Sequence, residues 1–220
     1  MQQSALFRAG IRHILFDLDG TLVDSVRITC AIIDAMLADR GLTFTADRAL
    51  ARAMDGVGGA GMMAAVMGPH CRDPDVEIAE FRARHAVVAT PPDLAFPGVP
   101  AMLAGLAASG VSMAICSNKP QHLCEKILID LGLNPYFGAI VGADPGRPRK
   151  PAPDAALLAM AGLKADPAAT LYVGDSDIDV ATARAAGLPI MLVAWGYGWD
   201  GARAAAPDAP VLRKPADLLA

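Results

Sequence analysis

Four times along this chain a short apolar run stops at a small or polar residue, and that recurrence constrains the fold more than any other feature. Ile11 to Phe16 ends at Asp17, Val111 to Cys116 at Ser117-Asn118, Ala139 to Val141 at Gly142-Ala143-Asp144, and Thr170 to Val173 at Gly174-Asp175. Runs of this length, closed by turn residues, read as buried strands. Helical patterns lie between them at about Ala101 to Ala108, Gln121 to Leu131, Ala152 to Ala161 and Ile178 to Ala186, and Pro189 to Ala194 reads as a fifth strand. Alternation of this kind predicts an α/β fold, a parallel sheet wound on both faces by helices.

One stretch breaks the alternation. From Ser25 to about Leu94 there is no convincing strand, only amphipathic and alanine-rich helical segments, and the chain returns through Thr90-Pro91-Pro92-Asp93 and Phe96-Pro97-Gly98, a proline-rich connector. The expected organisation is a core of residues 1–24 and 95–220 with an inserted helical lid of residues 25–94. Leu94 to Asn118 carries no charge, but prolines and glycines punctuate it, so a linker, a helix and a buried strand are expected rather than a membrane span.

Composition narrows the partners. The chain has 220 residues, 54% of them hydrophobic, and a formal net charge of −4 with its basic residues scattered, which gives a nucleic-acid backbone no patch to follow. Cys30, Cys71, Cys116 and Cys124 form no CxxC pair and sit in apolar segments, as expected in a reducing cytoplasm. The segment through Gly10 has the features of neither a signal peptide nor a transit peptide. A small soluble substrate is expected.

In parallel sheets ligands bind beyond the carboxyl ends of the strands, where Asp17, Ser117 and Asp175 all stand, with Lys150 in a loop after another strand. Asp17 and Asp19, two apart, would face one pocket if the chain stays extended. Asp175, Asp177 and Asp179 add negative charge that is tolerable only if something positive enters. All-oxygen ligands without a histidine or cysteine cluster point to Mg²⁺ rather than zinc. Lys150, Thr21 and Ser117 could contact phosphate oxygens, and Gly20 permits close backbone approach. On this reading Asp17 is a nucleophile toward phosphorus, and Asp19 protonates the leaving oxygen and later activates water.

Asp17-Leu18-Asp19-Gly20-Thr21-Leu22-Val23-Asp24-Ser25 resembles the first motif of the haloacid dehalogenase superfamily; Ser117-Asn118-Lys119-Pro120 resembles the second, Lys150-Pro151 the third, and Gly174-Asp175-Ser176-Asp177-Ile178-Asp179 the fourth. The resemblance covers nearly the whole chain. It implies a Rossmann-like core with a helical cap, Asp17, Asp19 and Lys150 as catalytic residues, and phosphate held by Leu18, Gly20, Thr21, Ser117, Asn118 and Lys150. It also implies Mg²⁺ on the Asp17 side chain, the Asp19 carbonyl and Asp175, with Asp179 and Ser176 further out. Because Asp19 is retained, phosphate-ester chemistry is implied, and the glycine- and aromatic-containing segments around Phe96 and Trp195 to Gly198 resemble the phosphoglycolate phosphatase branch. Phosphomutase or pyrophosphatase activity, or a catalytically silent binding role, is the alternative; the chain would act as a monomer or a homodimer.

Several other features invite bland readings. Asp175 to Asp179 mimics the start of a calcium loop, but Val180 and Ala186 stand where that loop needs glycine and glutamate. Gly56, Gly58 and Gly61 spell GxGxxG after a helix-like segment rather than a strand, which argues for a cap loop over a dinucleotide site. His13, His70, His85 and His122 are expected to be surface or satisfied structural residues, and Lys119, Arg147 and Arg149 to be solvated charges near the pocket. Arg52 could meet a substrate carboxylate or decorate a helix, and Trp195 and Tyr197 could pack the core rim or border the pocket.

Overall fold

In the computed structural model, which describes residues 10–55 and 59–220, the predicted strands pair side by side. They are β1 (His13–Phe16), β2 (Ser112–Pro120), β3 (Phe137–Ala143), β4 (Thr170–Gly174) and β5 (Ile190–Val193), joined by β6 (Val211–Leu212) in the order β3-β2-β1-β4-β5-β6. Every pairing is parallel. The result is a Rossmann-like sheet in an α/β fold.

Strand β1 shows why the sequence reads as it does. Ile14, Leu15 and Phe16 are fully buried, but alternate residues face opposite sides of the sheet. Ile14 and Phe16 join one apolar cluster with Val99, Leu103 and Leu106 of α5 (Val99–Ala108). Leu15 joins a second with Tyr172 and with Ala155, Ala156 and Ala159 of α7 (Asp154–Leu163). A strand covered on both faces has no polar side to show, so its signature is a continuous apolar run.

Between β1 and α5 the described residues form four α-helices: α1 (Val26–Ala38), α2 (Arg48–Ala53), α3 (Gly59–Met67) and α4 (Pro74–Val87). Asp47 and Asp73 cap α2 and α4 by accepting hydrogen bonds from backbone N–H groups of the first turn, and Pro74 begins α4 where no donor is needed. Glu77 of α4 is buried and accepts from Arg40 at 2.8 and 2.6 Å, with a further contact from Arg72. The two connectors to the core run side by side, with Asp24 N–H donating to the Leu94 carbonyl at 2.8 Å and Phe96 N–H to that of Leu22 at 3.0 Å.

Helices α6 (Gln121–Asp130) and α8 (Asp177–Ala185) complete the predicted set. Two elements go beyond it: α9 (Trp199–Ala205), a two-turn helix, and β6, whose two residues are too few to show a period. The uncharged stretch Leu94 to Asn118 divides between a connector, α5 and most of β2, and no helix among the described residues is long and apolar enough to cross a membrane. Of the GxGxxG pattern, Gly61 lies in α3, while Gly56 and Gly58 lie outside the described residues.

Candidate active site

The strand order reverses around β1, with β2 on one side and β4 on the other, and the predicted residues gather beyond the carboxyl ends of these three strands. Asp17 follows β1, with its N–H bonded to the Val173 carbonyl of β4 at 3.0 Å. Asp175 follows β4, and Ser117 sits on β2. Asp17, Asp19, Ser117, Asn118, Lys150 and Asp175 all border one cavity of about 220 Å³, which also reaches Arg52, Asp55, Arg82, His85 and Tyr197 from neighbouring segments.

Beyond Asp19 the chain turns back. Leu22 and Val23 donate back to the Leu18 carbonyl and Gly20 to that of Val23, closing a tight turn with Gly20 at φ 79°. A Cβ on Gly20 would lie 2.6 Å from Asp175 Oδ2, so the turn and the acid can coexist only with glycine at this position. Leu18 itself is buried, leaving only its backbone to serve a ligand.

Carboxylate oxygens of Asp17, Asp175 and Asp179 lie within 4.8 Å of one another, all three residues being buried. Lys150 Nζ is 2.8 Å from Asp17 and 2.8 Å from Asp179. Burial would depress its pKa, but Asp17 and Asp179 hold it well above the usual lysine value. Asp17 is pushed well above the normal carboxylate range by burial and by Asp179, with Lys150 opposing, and Asp175 is raised to about 6 by burial and Asp179. Hard all-oxygen donors carrying excess negative charge suit a divalent cation, so the residues fit a metal of that class.

Asp179 is held differently. Its carboxylate accepts from the backbone N–H of Asp175 and Ser176, from the Ser176 hydroxyl at 2.7 Å, and from Tyr172 and Lys150, and with Ser176 it forms the capping box of α8. These bonds, with Lys150 foremost, keep it ionised despite complete burial. Asp177, the first residue of α8, caps its own neighbour Ile178 and is not among the three clustered acids.

Two residues expected at a phosphate have side chains engaged by the protein. The Thr21 hydroxyl donates to Asp175 at 2.8 Å. Asn118 brackets the Lys150 backbone, donating to its carbonyl at 3.0 Å and accepting from its N–H at 2.9 Å, so it fixes the lysine in place. Ser117, almost fully buried, borders the cavity and accepts from Lys119 N–H.

Lys119 is not a solvated charge. Its ammonium is about 10% exposed and lies 3.0 Å from Asp19 Oδ1. Burial alone would raise the Asp19 pKa, but its neighbours, Lys119 foremost, bring it below the ordinary carboxylate value. Arg147 donates to the Gly142 carbonyl, and Arg149 to that of Asn118 at 3.1 Å. Arg52 lies over the Tyr197 ring at 5.4 Å and 3.7 Å from Asp24, whose other partner is the Tyr197 hydroxyl at 2.6 Å. Trp195 donates to the Thr21 carbonyl, tying the loop after β5 to the turn after β1.

Two groups escaped the sequence reading. His85, expected on the surface or satisfied, is 2% exposed and neither ring nitrogen has a hydrogen-bond partner among the described residues. Burial, reinforced by Lys119, drives its pKa down to about 3. Asp55 borders the cavity, and burial together with Asp19 pushes it up to about 8. Neither lies in a motif; each owes its place to how the helices meet the sheet.

Fold and site together define an α/β enzyme scaffold with an acidic, lysine-bearing centre at the switch point of a parallel sheet. Residues 11–187 match the haloacid dehalogenase-like hydrolase family, and the chain belongs to that family. It is 36% identical over 197 residues to the phosphoglycolate phosphatase of Rhodospirillum rubrum, covering 84% of this chain and 80% of that protein. It is 34% identical over 214 residues to that of Yersinia pestis, covering 95% and 92%. A predicted phosphoglycolate phosphatase from Haemophilus somnus has the same fold, with a TM-score of 0.79 at 24% identity over 96% of this chain and 97% of that one.

Proposed function

We propose that this hydrolase is a Mg²⁺-dependent phosphatase that cleaves small phosphate monoesters of the phosphoglycolate type through a phosphorylated Asp17. The observation that carries the reading is the placing of Asp17 at the end of β1, 2.8 Å from the Lys150 ammonium and within 4.8 Å of Asp175 and Asp179. The names of the relatives in Rhodospirillum rubrum and Yersinia pestis support the substrate class.

Asp17, the Asp19 carbonyl and Asp175 would hold the cation, which neutralises phosphate charge when bound. Asp179 and Ser176 support this set from behind. Asp17 attacks phosphorus, and the bond to the leaving oxygen breaks as Asp19 delivers a proton to it. Asp19 then takes a proton from water, which attacks the acyl phosphate and releases inorganic phosphate. Lys150, Ser117 and the backbone N–H of Leu18 receive phosphate oxygens, with Gly20 allowing close approach at the turn, Thr21 orienting Asp175 and Asn118 orienting Lys150.

Residues 25–94 act as a cap over a core of 1–24 and 95–220. The paired connectors at Asp24–Leu94 and Leu22–Phe96 support a hinge there, and cap closure would exclude water during transfer to Asp17. The free cysteines, three of them buried, support a reducing cytoplasmic setting.

The deciding experiment is hydrolysis of p-nitrophenyl phosphate and 2-phosphoglycolate with Mg²⁺, with chelator, and by Asp17→Asn. Metal-dependent phosphate release that Asp17→Asn lowers on the order of 10³-fold or more is expected. Activity that survives both chelation and the substitution rules the reading out.

A further inference from the structure

His85 has no place in the chemistry at Asp17, yet it borders the same cavity. It sits in the last turn of α4, with its ring edge-to-face against Phe81 at 5.6 Å. The side chain is 98% withdrawn from solvent, and among the described residues neither Nδ1 nor Nε2 has a hydrogen-bond partner. A buried polar group left unpaired destabilises a fold, and phenylalanine or leucine would pack beside Phe81 without that cost. An imidazole kept in such a position needs a partner that arrives from outside.

The cavity supplies the route and the chemistry. Its phosphate end is lined by Asp17, Ser117 and Lys150, whereas His85 belongs to the helical unit that faces them. Arg52, Arg82, Lys119 and Arg149 also border it, four cations against Asp19, Asp55 and Asp177, the lining acids outside the metal-suited cluster. A volume of about 220 Å³ accommodates a compact ester. An uncharged imidazole offers one N–H donor and one acceptor, which matches a carboxylate oxygen or a hydroxyl beside it.

We propose that His85 is a specificity-determining residue that donates a ring N–H to a carboxylate oxygen of the leaving group, selecting phosphate esters of short hydroxy acids. The inference rests on the phosphatase reading above and adds to it the residue that recognises the part of the substrate remote from phosphorus. Because the contact is made to the leaving group, it should help hydroxy-acid esters and be irrelevant to an aryl phosphate without a carboxylate.

The test compares wild type, His85→Phe and His85→Gln on 2-phosphoglycolate, 2-phospholactate, 3-phosphoglycerate and p-nitrophenyl phosphate, with Tm measured on each protein without substrate. His85→Phe is expected to lower kcat/KM for the best hydroxy-acid ester by about tenfold or more, while p-nitrophenyl phosphate changes less than about twofold. His85→Gln, which keeps a donor, should recover part of the loss, and the Tm of His85→Phe should match or exceed that of wild type. Parallel losses on both kinds of ester, or no loss on the hydroxy acids, overturns the proposal. So does a wild type that cleaves p-nitrophenyl phosphate but none of the three acids. If His85→Phe fails to fold, His85→Gln against His85→Leu gives the same comparison. Failure of wild type on every ester would instead strike the phosphatase reading itself.

Discussion

The ammonium of Lys119 lies 3.0 Å from Oδ1 and 3.1 Å from Oδ2 of Asp19, so the proposed acid/base is gripped by a cation from the adjacent strand β2. In the proposed mechanism Asp19 delivers a proton to an alkoxide leaving group, but a nitrophenolate departs without help. Asp19→Asn should therefore lower kcat about 10²- to 10⁴-fold on an alkyl phosphate and much less on p-nitrophenyl phosphate. Lys119→Met acts through Asp19, removing both its positioning and the charge that lowers its pKa, and should show the same contrast at smaller size. Equal losses on both esters would mean that Asp19 serves binding rather than proton transfer.

Gly20 and Asp175 are similarly interdependent. Alanine at Gly20 meets both a left-handed backbone, which costs about 1–2 kcal/mol for an L-residue, and the Asp175 carboxylate. Gly20→Ala should fold with a lowered Tm and lose most activity. A variant with wild-type kcat would show that the turn has room to spare.

The acid cluster makes a claim about metal that does not depend on turnover. A ligand at about 100 times its Kd stabilises a protein by about 2.7 kcal/mol, so Mg²⁺ should raise the Tm of the wild type by several degrees. Asp175→Asn removes one of the three clustered carboxylates and should abolish most of that rise. Equal Mg²⁺ responses from the two proteins would place the ion elsewhere.

In α4, Arg40 and Arg72 hold Glu77 at about 2, against an ordinary value of 4.5. A carboxyl depressed in the folded state contributes stability that is fully present above 4.5 and lost as pH falls toward 2. Thermal melts across that window should show wild type losing more stability than Glu77→Gln, which starts lower because Arg40 has lost a charged partner. The wild-type and variant curves would run parallel if Glu77 did not carry the dependence.

What could be read from the residues, and what could not, follows from how each signal is encoded. Asp17, Ser117, Lys150 and Asp175 follow strands or sit in fixed local motifs, and a buried parallel strand announces itself as an apolar run, so topology alone brings them to one edge. The partners of those residues were invisible. Asn118 grips the Lys150 backbone across 32 positions, and Thr21 reaches Asp175 across 154, pairings that no periodicity records. Asp19 and Lys119, 100 positions apart, meet because β1 and β2 are neighbours. His85 looked like any histidine on a charged helix; only the packing of α4 against α1, α3 and α6 buries it.

The account depends above all on a covalent bond between Asp17 and phosphorus. Rapid quenching of the Mg²⁺-loaded enzyme during turnover, reduction with borodeuteride and peptide mass spectrometry tests this directly, because an acyl phosphate is reduced to an alcohol and a free carboxylate is not. Deuterated homoserine at position 17, absent when substrate is omitted, is the predicted result. Reduction at a different carboxylate, or none at all while phosphate is being released, would contradict it.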